Sequence, residues 1–160
     1  PGMHGANRTG RPFTGDHAGV LLYQMLHKYG FASRDYSEAA DDDLRLIDCR
    51  ITNAVKCLPP DNKPVGAEIN TCNNFLANEL RMLRSDAVVM ALGGIAHRAV
   101  IKALGMRQVE FKFGHAAVHD VKHFKLLDSY HCSRYNTNTG RLTEEMFDGI
   151  FAKASELLDN

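Results

Sequence analysis

The chain has 160 residues, of which 44% are hydrophobic, and its 19 lysines and arginines balance 19 aspartates and glutamates to a formal net charge of zero. That length supports one hydrophobic core and asks for no second, so a single domain over 1–160 is expected. No stretch approaches the roughly 18 apolar residues of a membrane span and none resembles a secretory signal, which points to a cytoplasmic protein; without bulk positive charge, any nucleic-acid binding has to come from a local cluster.

Residues 1–16 read as a loop rich in Gly, Arg, Thr and Pro. The chain opens inside this loop with no strand ahead of it, so an upstream segment is expected to be missing. Val20, Leu21, Leu22, Met25 and Leu26 have helical spacing, which predicts a helix over 18–29 closed by Gly30. The acidic run Asp41-Asp42-Asp43 reads as a solvated face. Residues 46–55 alternate and are β-branched enough for a strand ending at Asn53, broken by Pro59, Pro60 and Pro64. A helix is expected over 69–83, a buried strand over 87–92, a turn at Gly93-Gly94 and a helix over 95–104. Strands over 111–113 and 124–130 would flank a polar, histidine-containing loop. A last helix over 143–158 has Thr143 as its N-cap and Glu144 and Glu145 in its first turn. The alternation predicts an α/β fold with three layers, α/β/α, around a central, mainly parallel sheet. Ligands of such sheets gather at the carboxyl ends of the strands, where the opening loop, Asn53, Gly93-Gly94 and His131 would meet.

Several motifs can be set aside. Cys49, Cys57, Cys72 and Cys132 contain no CxxC pair, which argues against a zinc ribbon. His115, His119 and His123 recur every four residues and would make a metal-binding face on a helix, but the aromatic run before them and Gly114 argue against a helix there. Gly93-Gly94 carries neither GxGxxG nor GK[ST].

Three positions carry chemistry, each with a plainer alternative. Phe13 lies in Gly10-Arg11-Pro12-Phe13-Thr14-Gly15, where its ring can stack on a base, worth about 1–3 kcal/mol, or plug the core. The Asn53 amide can pair with a base edge or bond its own backbone. His131 opens the polar loop His131-Cys132-Ser133-Arg134-Tyr135-Asn136-Thr137-Asn138-Thr139-Gly140-Arg141; a neutral imidazole there can donate to a departing anion, or be structural. Arg8, Arg11, Arg134 and Arg141 are candidates for a local positive cluster.

The opening loop, the segment Ile51-Thr52-Asn53-Ala54-Val55-Lys56-Cys57-Leu58-Pro59-Pro60 and the His131 loop together resemble the signatures of family 5 of the uracil-DNA glycosylase superfamily, the type-b enzymes, over nearly the whole chain. The resemblance implies a monomeric base-excision enzyme. It would flip uracil, and other deaminated bases such as hypoxanthine or xanthine, out of DNA and hydrolyse the N-glycosidic bond to leave an abasic site. Phe13 would stack on the base, Asn53 would read it, and His131 would stabilise its departure, with His115 and Gly2 lining the pocket. Tyr135 or Arg134 would wedge into the base stack, and Asn136 and Arg141 would contact DNA. An amide at Asn7 can orient water but not deprotonate it, and Asp16 is the reserve carboxylate, more readily a helix cap. No lysine lies in either motif, so no Schiff base and no strand cleavage are expected. Cys57 and Cys72 match half of the four-cysteine set that holds a 4Fe-4S cluster, the other half being an N-terminal CxxC. The family's His-Pro-Ser is here His131-Cys132-Ser133, which removes a fixed φ from the loop. Two rival readings are a non-catalytic DNA-damage binding module of the same fold and a histidine-metal hydrolase.

Overall fold

The computed structural model describes residues 6–37, 39, 41–56 and 65–159, with the backbone alone at 6, 7 and 69. In chain order these form α1 (Ala6–Thr9), α2 (His17–Lys28), α3 (Gly66–Arg81), β1 (Val88–Leu92), α4 (Gly94–Ala103), a 3-10 turn (Gln108–Glu110), β2 (Val118–Val121), β3 (Phe124–Ser129), α5 (Arg134–Asn138) and α6 (Glu144–Leu158). Helix starts follow side-chain chemistry. Asp16 caps α2 by accepting from Gly19 N at 2.8 Å, and Thr143 caps α6 by accepting from Met146 N at 3.1 Å.

The described sheet has three strands in the order β1-β3-β2. β1 and β3 run parallel with Met90 opposite Leu127, whereas β2 returns antiparallel along the other side of β3. It is thus a small mixed sheet, not the mainly parallel one expected. Side chains alternate between its faces. Leu126, Val89 and Ala91 point toward α3 and α4, where they join Leu76, Leu80, Ala99 and Ile101. Leu127, Val88 and Met90 point the other way, toward Ile150 and Ala154 of α6. Beyond α6, Leu22, Tyr23 and Leu26 of α2 pack with Leu142, Phe147, Phe151 and Cys132. Helices therefore flank both faces of the sheet, and no helix among the described residues is long and apolar enough to cross a membrane.

Three expected elements differ. Residues 46–55 form no strand; Leu46 makes a single bridge to Ala32 and the rest is irregular. The aromatic run at Phe111 and Phe113 follows the 3-10 turn as open chain. A strand, β2, lies instead inside the stretch read as a polar loop. His115 precedes β2, His119 is on it and His123 follows it, so no helical histidine face exists.

The parallel pairing decides where the site lies. Leu92 sits opposite Ser129, so both strands end at one edge. Gly93 N donates to Ser129 O at 2.8 Å, and the turn after β1 and the loop after β3 leave the sheet side by side.

Candidate active site

The opening loop is pinned from beneath. Thr14 is fully buried with its hydroxyl 2.7 Å from that of Ser37, Tyr23 donates its phenol to Pro12 O at 3.0 Å, and burial raises the Tyr23 pKa. Arg11 donates to Ser37 and forms a 2.5 Å ion pair with Asp42. The acidic run is therefore not simply a solvated face: Asp43 is exposed, but Asp42 turns in and engages Arg11, which cannot be counted as an uncommitted cation for a ligand. Within this frame Phe13 takes a left-handed backbone, φ +58°. Such a conformation is uncommon for a bulky residue and persists where surroundings over-determine it.

His131 lies beside it, with ring centroids 5.9 Å apart and planes tilted by 31°. Gly93 makes this possible: its φ is +95°, and a Cβ added there would come within 3.3 Å of the His131 Cβ. Asn136 reaches back from α5 to donate its side-chain amide to the His131 carbonyl at 2.8 Å. Burial pushes the His131 pKa below the ordinary histidine value, with the Asp16 carboxylate pulling weakly the other way. Among the described residues, His131 Nδ1 is the buried side-chain atom left without a hydrogen-bond partner. Orphaned buried N–H groups are rarer than orphaned acceptors, so the ring proton belongs on Nε2. Cys132, in the place of the motif proline, is fully buried in the α2–α6 core, and burial pushes its thiol up to about 12.

Gly15, Asp16, His17, Tyr36, Ser37 and Arg134 line an open cavity at the start of α2, whose lining includes neither Phe13 nor His131. His17 Nε2 lies 3.1 Å from the Thr137 hydroxyl and ties the start of α2 to α5. Tyr135 is 72% exposed. The Arg141 guanidinium sits 4.9 Å from the ring centre of Tyr130, and His115 stacks on the same ring at 4.9 Å. Tyr130 N donates to His115 Nδ1 at 3.2 Å, so His115 is part of the packing behind the loop, and burial lowers its pKa.

A histidine held neutral beside an aromatic platform, at the shared carboxyl edge of two parallel strands, suits extraction of a flat heterocycle as an anion. The sequence profile of the Uracil DNA glycosylase superfamily matches residues 1–155. The chain belongs to that superfamily. It is 46% identical to the Type-5 uracil-DNA glycosylase of Thermus thermophilus over 98% of its own length and 72% of the relative's. Identity to the Type-5 uracil-DNA glycosylase of Pyrobaculum aerophilum is 42% over 97% of the chain and 67% of the relative, and to that of Mycobacterium bovis 43% over 98% and 60%.

In this superfamily member the sequence-derived site residues fall into separate groups. Phe13, Asp16 and His131 come together, Arg134 joins Asp16 at the cavity, and His115 and Arg141 meet on Tyr130. Asn53 is half-buried on the irregular stretch between Ile51, which packs against the α2–α6 core, and Ala54, which packs against the α3–α4 core. Gly2, Cys57 and the side chain of Asn7 lie outside the described residues. Cys72 is buried on α3, and Lys56 N, one residue before Cys57, donates to its sulfur at 3.4 Å. An amide directed at that sulfur, with the chain leading straight to a second cysteine, is a donor arrangement that fits thiolate ligation. Cys49 is half-buried against the other core, and desolvation raises its thiol to about 11. Sequence reasoning placed the Gly93-Gly94 turn at the ligand edge, and the positive φ of Gly93 is what the structure adds. It passed over Gly19, which, inside a helix, has no local signal.

Proposed function

We propose that the chain is a monofunctional uracil-DNA glycosylase of type 5 that flips uracil from DNA and hydrolyses its N-glycosidic bond to leave an abasic site. The observation that carries this reading is His131, half-buried, kept below its ordinary pKa and set beside the Phe13 ring. The extruded base stacks on Phe13. As the bond to the sugar stretches, negative charge builds on the base, and the His131 Nε2–H donates to its carbonyl oxygen. A donor already in place stabilises that charge without reorganisation. A neutral imidazole can do this without first giving up a proton.

Asn53 reads the base edge with its amide, which offers the complementary donor and acceptor for uracil and the wrong pattern for cytosine. Tyr135 or Arg134 enters the stack where the nucleotide leaves, and Asn136 and Arg141 support the DNA-facing loop. Asn7 orients the attacking water, and Gly2 and His115 complete the pocket, His115 from behind Tyr130. Asp16 is first a helix cap, and its charge also acts on His131. No lysine in either motif offers an amine for covalent attack, which leaves hydrolysis. Resemblance to the type-5 enzymes extends the substrate range to hypoxanthine, xanthine and other deaminated bases. The protein acts as a monomeric, single-domain cytoplasmic enzyme of base excision repair. Cys57 and Cys72 would supply two of the thiolates of a 4Fe-4S cluster, which would tie the chain together at those residues.

The test is single-turnover release of free base from matched duplexes carrying one uracil, one hypoxanthine or no lesion, with Asn53→Ala and His131→Ala alongside. Release from the lesion duplexes that collapses in both variants is expected. Lesion-selective binding without release would replace this reading with that of a damage-binding module.

A further inference from the structure

The core between α4 and the sheet contains a polar cluster that the base-release chemistry does not use. His97 on α4 and Asp128 on β3 are 1% and 0% exposed, in the midst of apolar side chains. His97 Nδ1 lies 2.8 Å from Asp128 Oδ1, and its Nε2 lies 2.9 Å from the Phe111 carbonyl. Asp128 Oδ2 is 3.1 Å from His119 Nε2 and accepts from Gly114 N at 3.4 Å. The backbone completes the arrangement: Ala116 N donates to Asp128 O and Asp128 N to Ala117 O, both at 2.9 Å.

A carbonyl oxygen only accepts, so His97 Nε2 carries a hydrogen. One further hydrogen bridges His97 Nδ1 and Asp128 Oδ1, so the ring holds Phe111 and Asp128 at once. A buried polar pair is poor evidence for added stability, since replacing it with apolar groups is often neutral or better, and a role in fixing one conformation is the hypothesis to test. These side chains form a set of possible metal donors within 4.8 Å of one another, but their separations and directions are those of hydrogen bonds among themselves.

The cluster ties residues 111–117 to the sheet at Phe111, Gly114, Ala116 and Ala117. That stretch supports the catalytic loop from behind. The Phe113 ring is 5.7 Å from His97 and 6.2 Å from the ring of Tyr130, and His115 both stacks on Tyr130 and accepts its backbone N–H. Tyr130 is bonded directly to His131. Phe113 also underlies Gly94, where an added Cβ would meet its ring at 3.7 Å, next to the Gly93 turn against which His131 rests.

We propose that His97 is a positioning residue for His131: locked between Asp128 and the Phe111 carbonyl, it fixes the 111–117 stretch and, through Phe113, His115 and Tyr130, the placement of the catalytic imidazole. Its kinetic consequence rests on the base-release reading above; its structural content does not. The first experiment is nitrogen-15 NMR of the histidine rings in the native protein and in two variants of His97. His97→Gln keeps a donor for Phe111 but not for Asp128, and His97→Asn the reverse. Both are expected to displace the His131 ring signals, and unchanged signals would overturn the proposal even if no base were released. Where base is released, each variant is expected to lower the single-turnover rate about ten- to a hundredfold, the scale of a misplaced catalytic group, with lesion-duplex affinity unchanged. In a His131→Ala background His97→Gln is expected to cost nothing more; an equal further loss there would show that His97 acts by another route.

Discussion

A Cβ placed on Gly19 would fall 1.7 Å from the carbonyl oxygen of Phe13, so the first turn of α2 accepts no side chain at that position. The obstacle is backbone, held in a left-handed turn and bounded by the Asp16 cap. Gly19→Ala is therefore expected to destabilise the protein by about 1–3 kcal/mol through overpacking. It should also lower base release, because Phe13 must move to relieve the clash. Denaturant unfolding beside single-turnover kinetics checks both.

The pH dependence follows from the burial of His131. Its pKa in the folded protein lies below the ordinary value of 6.5, so the acid limb of the base-release rate is expected below pH 6.5. The sign for stability is the same. Below pH 6.5 the unfolded chain binds the proton more readily, so this contribution is present above 6.5 and is lost as pH falls toward the folded value. The Asp16 charge raises the His131 pKa, so Asp16→Asn, which retains a capping side chain, moves the acid limb further down. A fall in the plateau rate without a moved limb would assign Asp16 to the water instead.

Asn136→Ala removes the 2.8 Å bond to the His131 carbonyl. The expected loss of stability is about 0.5–1.5 kcal/mol, typical of one hydrogen bond. The rate should fall by more than that energy implies, because the lost bond orients the loop that carries His131. Thermal unfolding and single-turnover release on the same sample separate the two effects.

Tyr135 is 72% exposed, and Tyr135→Ala is expected to change stability by less than about 0.5 kcal/mol. Its effect should depend on the substrate. Release from a duplex, where the vacated stack must be filled, is expected to fall, and release from single-stranded DNA to change little. Equal losses on both would remove Tyr135 from the wedge role.

The elements legible in the sequence were those whose residues bury against one neighbour in a simple period. Leu22, Met25 and Leu26 declare α2, Phe147, Ile150 and Phe151 declare α6, and the apolar runs of β1 and β3 mark strands covered on both faces. Capping by Asp16 and Thr143 was equally readable, because it depends on residues three apart. β2 was hidden, since its His119 satisfies a buried carboxylate and so looks like loop polarity. The β-branched stretch before Asn53 misled in the opposite sense: it has strand character, but only Leu46 finds a bridging partner. In the site, Phe13 and His131 could be nominated from motif chemistry. The pairing of Arg11 with Asp42 spans 31 residues, as does that of His97 with Asp128, and no local pattern announces either.

The buried cysteine at position 132 leaves the loop after β3 without the fixed φ of a pyrrolidine ring, which restricts the backbone equally at every temperature. Here order after β3 comes from the Asn136 bond to the His131 carbonyl and from the stacking of His115 and Arg141 on Tyr130. Those contacts are expected to loosen on warming before the core does, so base release should peak below the unfolding temperature.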